Sequence, residues 1–469
     1  MLTDHNAPAP PPQQWSVKKI TLWLAGLLLI FIIAILAYDE KLEPYDDLKP
    51  LRTTTPDSRT NGYLLLKERW GKLPEGEKSD RDKLKDMVSG KIPWDETLVS
   101  KRRIGRENMT SDLKAALALP EYLIPPVLTL NDPAFTGIDW MRSPFMHLAM
   151  EVLASARAGN SAAALGLLGD LRSLASRHII GSGSLLSLLV GVSLHSVTAN
   201  LTGELLGLGK MEPSQMEALA ETWKNDLPAA EAWRVALRSE TAFSGDVLLA
   251  VANKRPGLHE SFQAKHAWLL LKKNKTHNRM HQKLRHAGQI AFKTFPSKSE
   301  AESAGWGQTE DKRSKLERYL DTNYVGNKLT EGDDLIGRIL PGVTNKLLFE
   351  PRAVRVGIAI QRWRASHPDQ WPASLEELVP GFLTSVPKDP FNGNPLLWDE
   401  ASQIIYCVGS DWKDDLPTFE DHSSWFALET ESPGLRLSRP PAPPPVPQPQ
   451  EVPKKAKSAS APAAPASAK

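Results

Sequence analysis

The most regular hydrophobic pattern in the chain is Ile20 to Tyr38 (ITLWLAGLLLIFIIAILAY), 19 residues without a charge. As a helix it rises about 28 Å, close to the hydrocarbon thickness of a bilayer. Lys18 and Lys19 precede it and Asp39 and Glu40 follow. The positive-inside rule then places the short N-terminal tail in the cytoplasm and the bulk of the chain outside it. A cleaved signal peptide has a shorter apolar region ending in an Ala-x-Ala-like site, and Ile35 stands where a small residue is needed. A second uncharged run, Ile179 to Ala199, contains five serines, a threonine and a histidine. Insertion of so many hydroxyls is unfavourable, so this run predicts a buried helix of the globular part.

Between Pro144 and Leu249 apolar residues recur at three- and four-residue steps, as in MHLAMEVLASARA and ALGLLGDLRSLA. Arg157-Ala158-Gly159-Asn160 separates those two runs and predicts an αα-hairpin. Ser214 and Glu217 have capping-box spacing. Glu300 to Asn345 is polar and predicts connectors around one or two short helices, before a last helix from about Pro351 to Ala365. Turns and short strands follow, with Leu396–Trp398 and Ile404–Val408 as an antiparallel pair and Asn392-Gly393 as a tight turn. The expected fold class is mainly α with a small α+β C-terminal module and one N-terminal transmembrane helix. The expected organisation is a cytoplasmic tail (1–19), the span (20–38), a stalk and first helices (39–143), a helical domain (144–345), the α+β module (346–432) and a disordered Pro/Ala/Lys-rich tail (433–469).

Composition narrows the function classes. Lys and Arg number 57 against 55 Asp and Glu, so bulk charge does not make the chain a polyanion binder, and no specific nucleic-acid binding is expected. The single cysteine, Cys407, excludes an intramolecular disulfide and any multi-cysteine metal site. It lies in an apolar strand pattern (IIYCVG), where a buried inert thiol is expected. No G-x-S-x-G elbow, Walker loop or dinucleotide fingerprint occurs, so no reaction is marked by motif.

Charge is unevenly spread. Lys265 to Lys293 holds six lysines, two arginines and four histidines with no acid. Lys272, Lys273, Lys275, Arg279, Lys283 and Arg285 form a candidate surface for lipid headgroups, an anionic polymer or an acidic partner; the plainer reading is a basic solvated helix. His277 and His281, four apart, share a helix face and have the spacing of a divalent-metal pair, without the Glu of a metalloprotease motif.

The most informative block is Ala353 to Asp415. A helix end leads to His367-Pro368-Asp369-Gln370-Trp371-Pro372, then Ser374-Leu375-Glu376-Glu377-Leu378 with capping-box spacing. Val386-Pro387-Lys388-Asp389-Pro390-Phe391-Asn392-Gly393-Asn394-Pro395 comes next, and Gly409-Ser410-Asp411-Trp412-Lys413-Asp414-Asp415 follows the strands. This order of features resembles the globular part of the major pseudopilins of type II secretion systems, over about 60 residues. The chain has no Gly-Phe cleavage site with a following Glu at its hydrophobic helix, so the resemblance does not extend to pilin processing. What the resemblance implies for the acidic loop is calcium, held by Asp411, Asp414 and Asp415; the alternative is a hydrated surface turn. Five tryptophans (Trp363, Trp371, Trp398, Trp412, Trp425) fall in this last stretch and are expected to pack rather than to stack on sugars.

The expected role is that of a membrane-anchored envelope protein of structural or accessory type, in a bacterial inner membrane with its bulk periplasmic. It holds the lipid bilayer through 20–38 and docks envelope protein partners in a secretion or pilus-like assembly. The alternatives are an envelope hydrolase with an unmarked site in the helical domain and a binding module for anionic envelope polymers.

Overall fold

The computed structural model describes residues 25–30, 38–51, 57–73, 78–129, 139–208, 211–253, 271–306, 323, 333–368, 370–417 and 433–437. Everything below concerns these residues. Residues 25–30, inside the expected span, are helical, with Leu27, Leu28, Leu29 and Ile30 exposed. Residues 20–24 and 31–37 of the apolar run, His266, Trp425 and the chain beyond 437 lie outside the described residues.

The helices are α1 (Gly62–Trp70), α2 (Lys78–Val88), α3 (Glu96–Arg103), α4 (Met109–Ala118), α5 (Arg142–Arg157), α6 (Ser161–Ile180), α7 (Leu185–Gly207), α8 (Pro213–Thr222), α9 (Ala229–Ala252), α10 (Lys273–Ile290), α11 (Lys298–Ser303) and α12 (Asp333–Ser366). Consecutive helices α5, α6 and α7 pack on one another, and α12 lies across α7 and α10. The expected αα-hairpin is α5–α6. Gly159 at φ 80° turns the chain and the Asn160 side chain accepts from Ala163 N to start α6.

The uncharged run Ile179–Ala199 is split between the end of α6 and the start of α7. Gly181 makes the break: a Cβ there would sit 1.9 Å from the Tyr122 carbonyl oxygen, so only glycine admits that strand of backbone. Helix α7 is long and apolar enough to cross a membrane, but 78% of its apolar window is buried inside the protein. Its hydroxyls bond its own backbone: Ser193 to the Leu189 carbonyl, Thr198 to that of His195, Thr202 to that of Thr198. Such back-bonding lets these three hydroxyls be buried with their hydrogen bonds made, while the buried Ser196 hydroxyl has no partner among the described residues.

Three antiparallel strands, β1 (Leu397–Asp399), β2 (Ile404–Tyr406) and β3 (Gly434–Arg436), lie in that order, with Trp398 opposite Ile405 and Ile405 opposite Leu435. Strand β2 is buried throughout, against α12, while β3 also touches α7. The main core runs from Tyr63, Leu66 and Trp70 through Phe145, Leu168 and Leu194 to Val356, Ile405 and Leu437.

Several expected boundaries shift. The helical domain and the α+β module do not divide at 345/346, because α12 runs through that point and Asn345 and Leu347 are buried in it. Within the expected stalk and first helices, residues 62–118 form helices α1–α4, and Leu66, Trp70, Leu113 and Ala116 belong to the main core. Nor does the tail begin at 433, since Leu435 and Leu437 complete the sheet and are buried. The capping box before α8 uses Glu212 and Gln215 rather than Ser214 and Glu217, with Pro213 as first helical residue. Ser374 precedes a short 3-10 turn without a side-chain cap.

Candidate functional site

The Pro-Lys-Asp-Pro segment is organised by its aspartate. Asp389 is 1% exposed. One carboxylate oxygen accepts from Phe391 N (2.7 Å) and the other from Val408 N (3.0 Å), tying the loop to the end of β2. Its backbone closes the turn as well, with Asp389 N on the Asn394 carbonyl and Gly393 N on the Asp389 carbonyl. Gly393 takes φ 80°, the positive angle that Asn392-Gly393 predicts. Burial raises the Asp389 pKa, opposed by the backbone N–H groups aimed at it.

This loop forms one wall of an open cleft of about 660 Å³, lined by Thr294, Arg352, Arg355, Ser385, Lys388 and Asp389 among others. Arg352 and Arg355 come from successive turns of α12. Both reach Asp226 (3.5 and 2.9 Å), and they donate to the carbonyls of Lys388 (2.7 Å) and Lys224 (2.6 Å) respectively. Lys388 is exposed at the rim. Three cations therefore meet the carboxylates Asp226 and Asp389, a surplus of one positive charge. With its arginines held by these bonds, the cleft presents fixed positive groups to a carboxylate or another anion.

The tryptophans of this stretch pack away from the cleft lining. Trp412 takes φ 58°, a left-handed conformation that a glycine adopts without cost. Its indole N–H donates to the Phe295 carbonyl, and its ring packs edge-on against Trp306 (5.2 Å) and Phe391 (6.3 Å). Packing is also the role of Trp363, Trp371 and Trp398, the last donating to the Pro372 carbonyl. Cys407 is wholly buried, and burial beside Asp389 pushes its thiol pKa well up, as expected of an inert cysteine.

The three loop aspartates point to different partners. Asp411 pairs with Lys413 (3.2 Å), Asp414 accepts from the Tyr406 hydroxyl (2.9 Å), and Asp415 is exposed. Among the described residues no group of three or more His, Cys, Asp or Glu is placed to hold a metal ion.

The basic segment becomes α10, docked rather than solvated. Thr276, Met280, His281, Leu284, Ala287 and Ile290 are buried along it, and it packs on α9 and α12. Its polar edge is covered by residues 39–47. Asp39 accepts from Asn274 N (2.9 Å) and Lys275 N (3.1 Å), Asn278 accepts from Glu43 N and donates to the Lys41 carbonyl, and Arg285 chelates Asp47 at 2.8 Å. Lys272 is buried, Lys273 exposed, and Lys275, Arg279 and Lys283 half-buried. The His277–His281 pair belongs to an aromatic cluster: their rings lie 4.2 Å apart and tilted, and Tyr45 packs tilted against both. Burial, with His277 and Arg285 nearby, lowers His281 to about 4.

Two buried pairs had no sequence signal. His195 of α7 and Glu350 of α12, 155 residues apart, meet at 2.8 Å, and His195 also packs edge-on against Trp223. Tyr122 and His178 meet at 3.3 Å beside a void of about 10 Å³, room for roughly one water, and burial lowers His178 to about 3. Neither pair is open to a substrate.

No family model, curated protein or solved structure matches the chain.

Proposed function

We propose that this protein is a membrane-anchored accessory protein of the bacterial envelope that docks an acidic protein segment in the cleft beside its Pro-Lys-Asp-Pro loop. The observation that carries this reading is the cleft itself: it is open, lined by Arg352, Arg355 and Lys388, and held by bonds that leave its shape fixed before anything binds. Acid–base hydrolysis fits it less well, because the one carboxylate in its lining, Asp389, is buried and already accepts backbone N–H groups. The apolar run Ile20–Tyr38, with its flanking charges, supports anchoring in the inner membrane with the bulk of the chain periplasmic. The likeness of residues 353–415 to pseudopilins supports an assembly in which such modules meet other envelope proteins.

The test is site-specific photocrosslinking in native membranes from position 388, with a second probe at the exposed Glu400 as control. Adducts from 388 to a protein through an acidic stretch, weakened at least several-fold by Arg355→Glu, are expected. Adducts that are equal from both positions, or unaffected by Arg355→Glu, overturn the reading.

A further inference from the structure

The segment that follows the apolar run does not leave the globular unit as a loose tether. Asp39, the first residue after Tyr38, accepts from Asn274 N and Lys275 N, the second and third helical N–H groups of α10. That is the work of an N-cap, done by a residue 235 positions away, while Lys272 at the cap position makes no side-chain cap bond. Farther along, Glu43 N donates to Asn278, the Gln282 amide reaches Glu43 (3.3 Å), and Asp47 takes Arg285. Residues 39–47 thus run alongside α10 in the same direction as the helix, from its N-terminus at Asn274 to Arg285, a rise of about 16 Å.

This fixes which end of α10 is nearest the bilayer. A chain leaving the hydrocarbon at Tyr38 crosses a headgroup layer of only about 5–8 Å. The first turn of α10, bonded directly to Asp39 and Glu40, falls within that depth, and Arg285 falls outside it. At that end Lys41 and Lys273 are exposed and Lys275 is half-buried, with Lys272 behind them. Lys41 and Lys273, exposed at this end, present positive charge to whatever lies below it.

We propose that the N-terminal end of α10, through Lys41, Lys273 and Lys275, rests on the membrane and binds anionic phospholipid headgroups. The proposal rests on the reading of Ile20–Tyr38 as a membrane span. It divides the basic cluster in two: the first turn meets lipid, while Arg285 holds the chain that leaves the span. It also sets the orientation of the unit, because α10 then leads away from the bilayer toward Thr294, which lines the cleft at the Pro-Lys-Asp-Pro loop.

The experiment uses the unaltered full chain reconstituted in vesicles of phosphatidylcholine alone or with roughly a third phosphatidylglycerol. Acylation rates of individual lysines by a small amine-reactive reagent are read by mass spectrometry, with exposed Lys388 and Lys298 as internal references. Each anionic headgroup near a lysine is worth about 1 kcal/mol, so Lys41 and Lys273 should react roughly five-fold more slowly in the anionic vesicles. Lys388 and Lys298 should not change, and high salt should reverse the protection. Equal rates at all four lysines in both vesicles overturn the proposal, as does equal protection by millimolar inorganic phosphate over phosphatidylcholine, which indicates a soluble-anion site. Vesicle flotation separates the two readings: a chain that does not float with lipid removes the span itself, whereas a floating chain with unprotected lysines removes only the headgroup contact.

Discussion

Helices α7 and α10 both carry more polar residues than a core helix usually tolerates, and they accommodate them in opposite ways. Helix α7 turns hydroxyls inward on its own carbonyls, so Thr198 and Thr202 need nothing from the rest of the chain. Helix α10 has few such internal solutions. Its N-terminus, Asn278 and Arg285 are completed by Asp39, Lys41, Glu43 and Asp47, more than 200 residues earlier in sequence. His195 of α7 reaches outward in the way that α10 does, to Glu350 on another helix. A helix that satisfies itself is insensitive to its neighbours, whereas a helix completed by distant chain is stable only when that chain is in place.

The sharpest way to break this comparison is at its exception. Glu350→Ala removes the partner of His195 in a fully buried site. Loss of one member of a buried pair costs about 3–5 kcal/mol, so the urea midpoint of the full chain should fall steeply. A drop below about 1 kcal/mol would mean that the pair contributes little and that α7 is self-sufficient throughout.

Acid provides the next largest effect, and it acts on α10. His281 sits against Tyr45, His277, Arg285 and Asp47, and it titrates at about 4 in the folded protein. An unfolded histidine titrates near 6.5. The folded site disfavours the proton, so stability is intact above pH ~6.5 and declines as the pH falls toward about 4, where the unfolded chain binds the proton and the folded one does not. Asp47, lowered by its bond to Arg285, adds its own loss only in more acidic solution, below its ordinary value of 3.8. His147, also lowered to about 4 by burial, shares the His281 window. His281→Phe should therefore flatten the acid limb of a stability–pH curve without abolishing it. An unchanged slope in that variant would assign the limb to His147 and other groups.

How much of this was legible in sequence follows from how local each interaction is. The α5–α6 hairpin was readable because Gly159 and Asn160 act within a few residues of the helices they join. The buried nature of α7 was readable from its serines, since hydroxyls bond back within one turn. The Asn392-Gly393 turn showed itself, but the buried role of Asp389 did not, because its partner Val408 lies 19 residues on and across the sheet. The basic run looked solvated because nothing nearby in sequence opposes it; its acids stand at 39–47, more than 200 residues earlier. Strand β3 was hidden in a Pro- and Arg-containing stretch where only Leu435 and Leu437 alternate. His195–Glu350 joins two residues that no periodicity relates, and the cleft needs four separate segments of chain.

Asp39→Ala tests the dependence of α10 on distant chain more gently. It frees the second and third helical N–H groups and removes a negative charge from the positive end of the helix dipole, an effect of about 1 kcal/mol. Amide exchange should speed up in the first turn of α10 and not in α7. Protection lost evenly over both helices would show that residues 39–47 hold the whole unit rather than this helix.

The smallest effect sharpens the comparison from the other side. Thr202 is fully buried, and its hydroxyl bonds only the Thr198 carbonyl. Thr202→Val keeps the shape of the side chain and removes the hydroxyl. The Thr198 carbonyl keeps its helical N–H partner, so no buried acceptor is stranded and no cavity opens. Valine also relieves the slight bending that back-bonding imposes on a helix. Stability should then change by less than about 0.5 kcal/mol in either direction, even though the site is as deep as that of His195. A loss above about 1 kcal/mol would show that the hydroxyl serves something outside α7, and the division between a self-satisfied helix and a borrowed one would not hold.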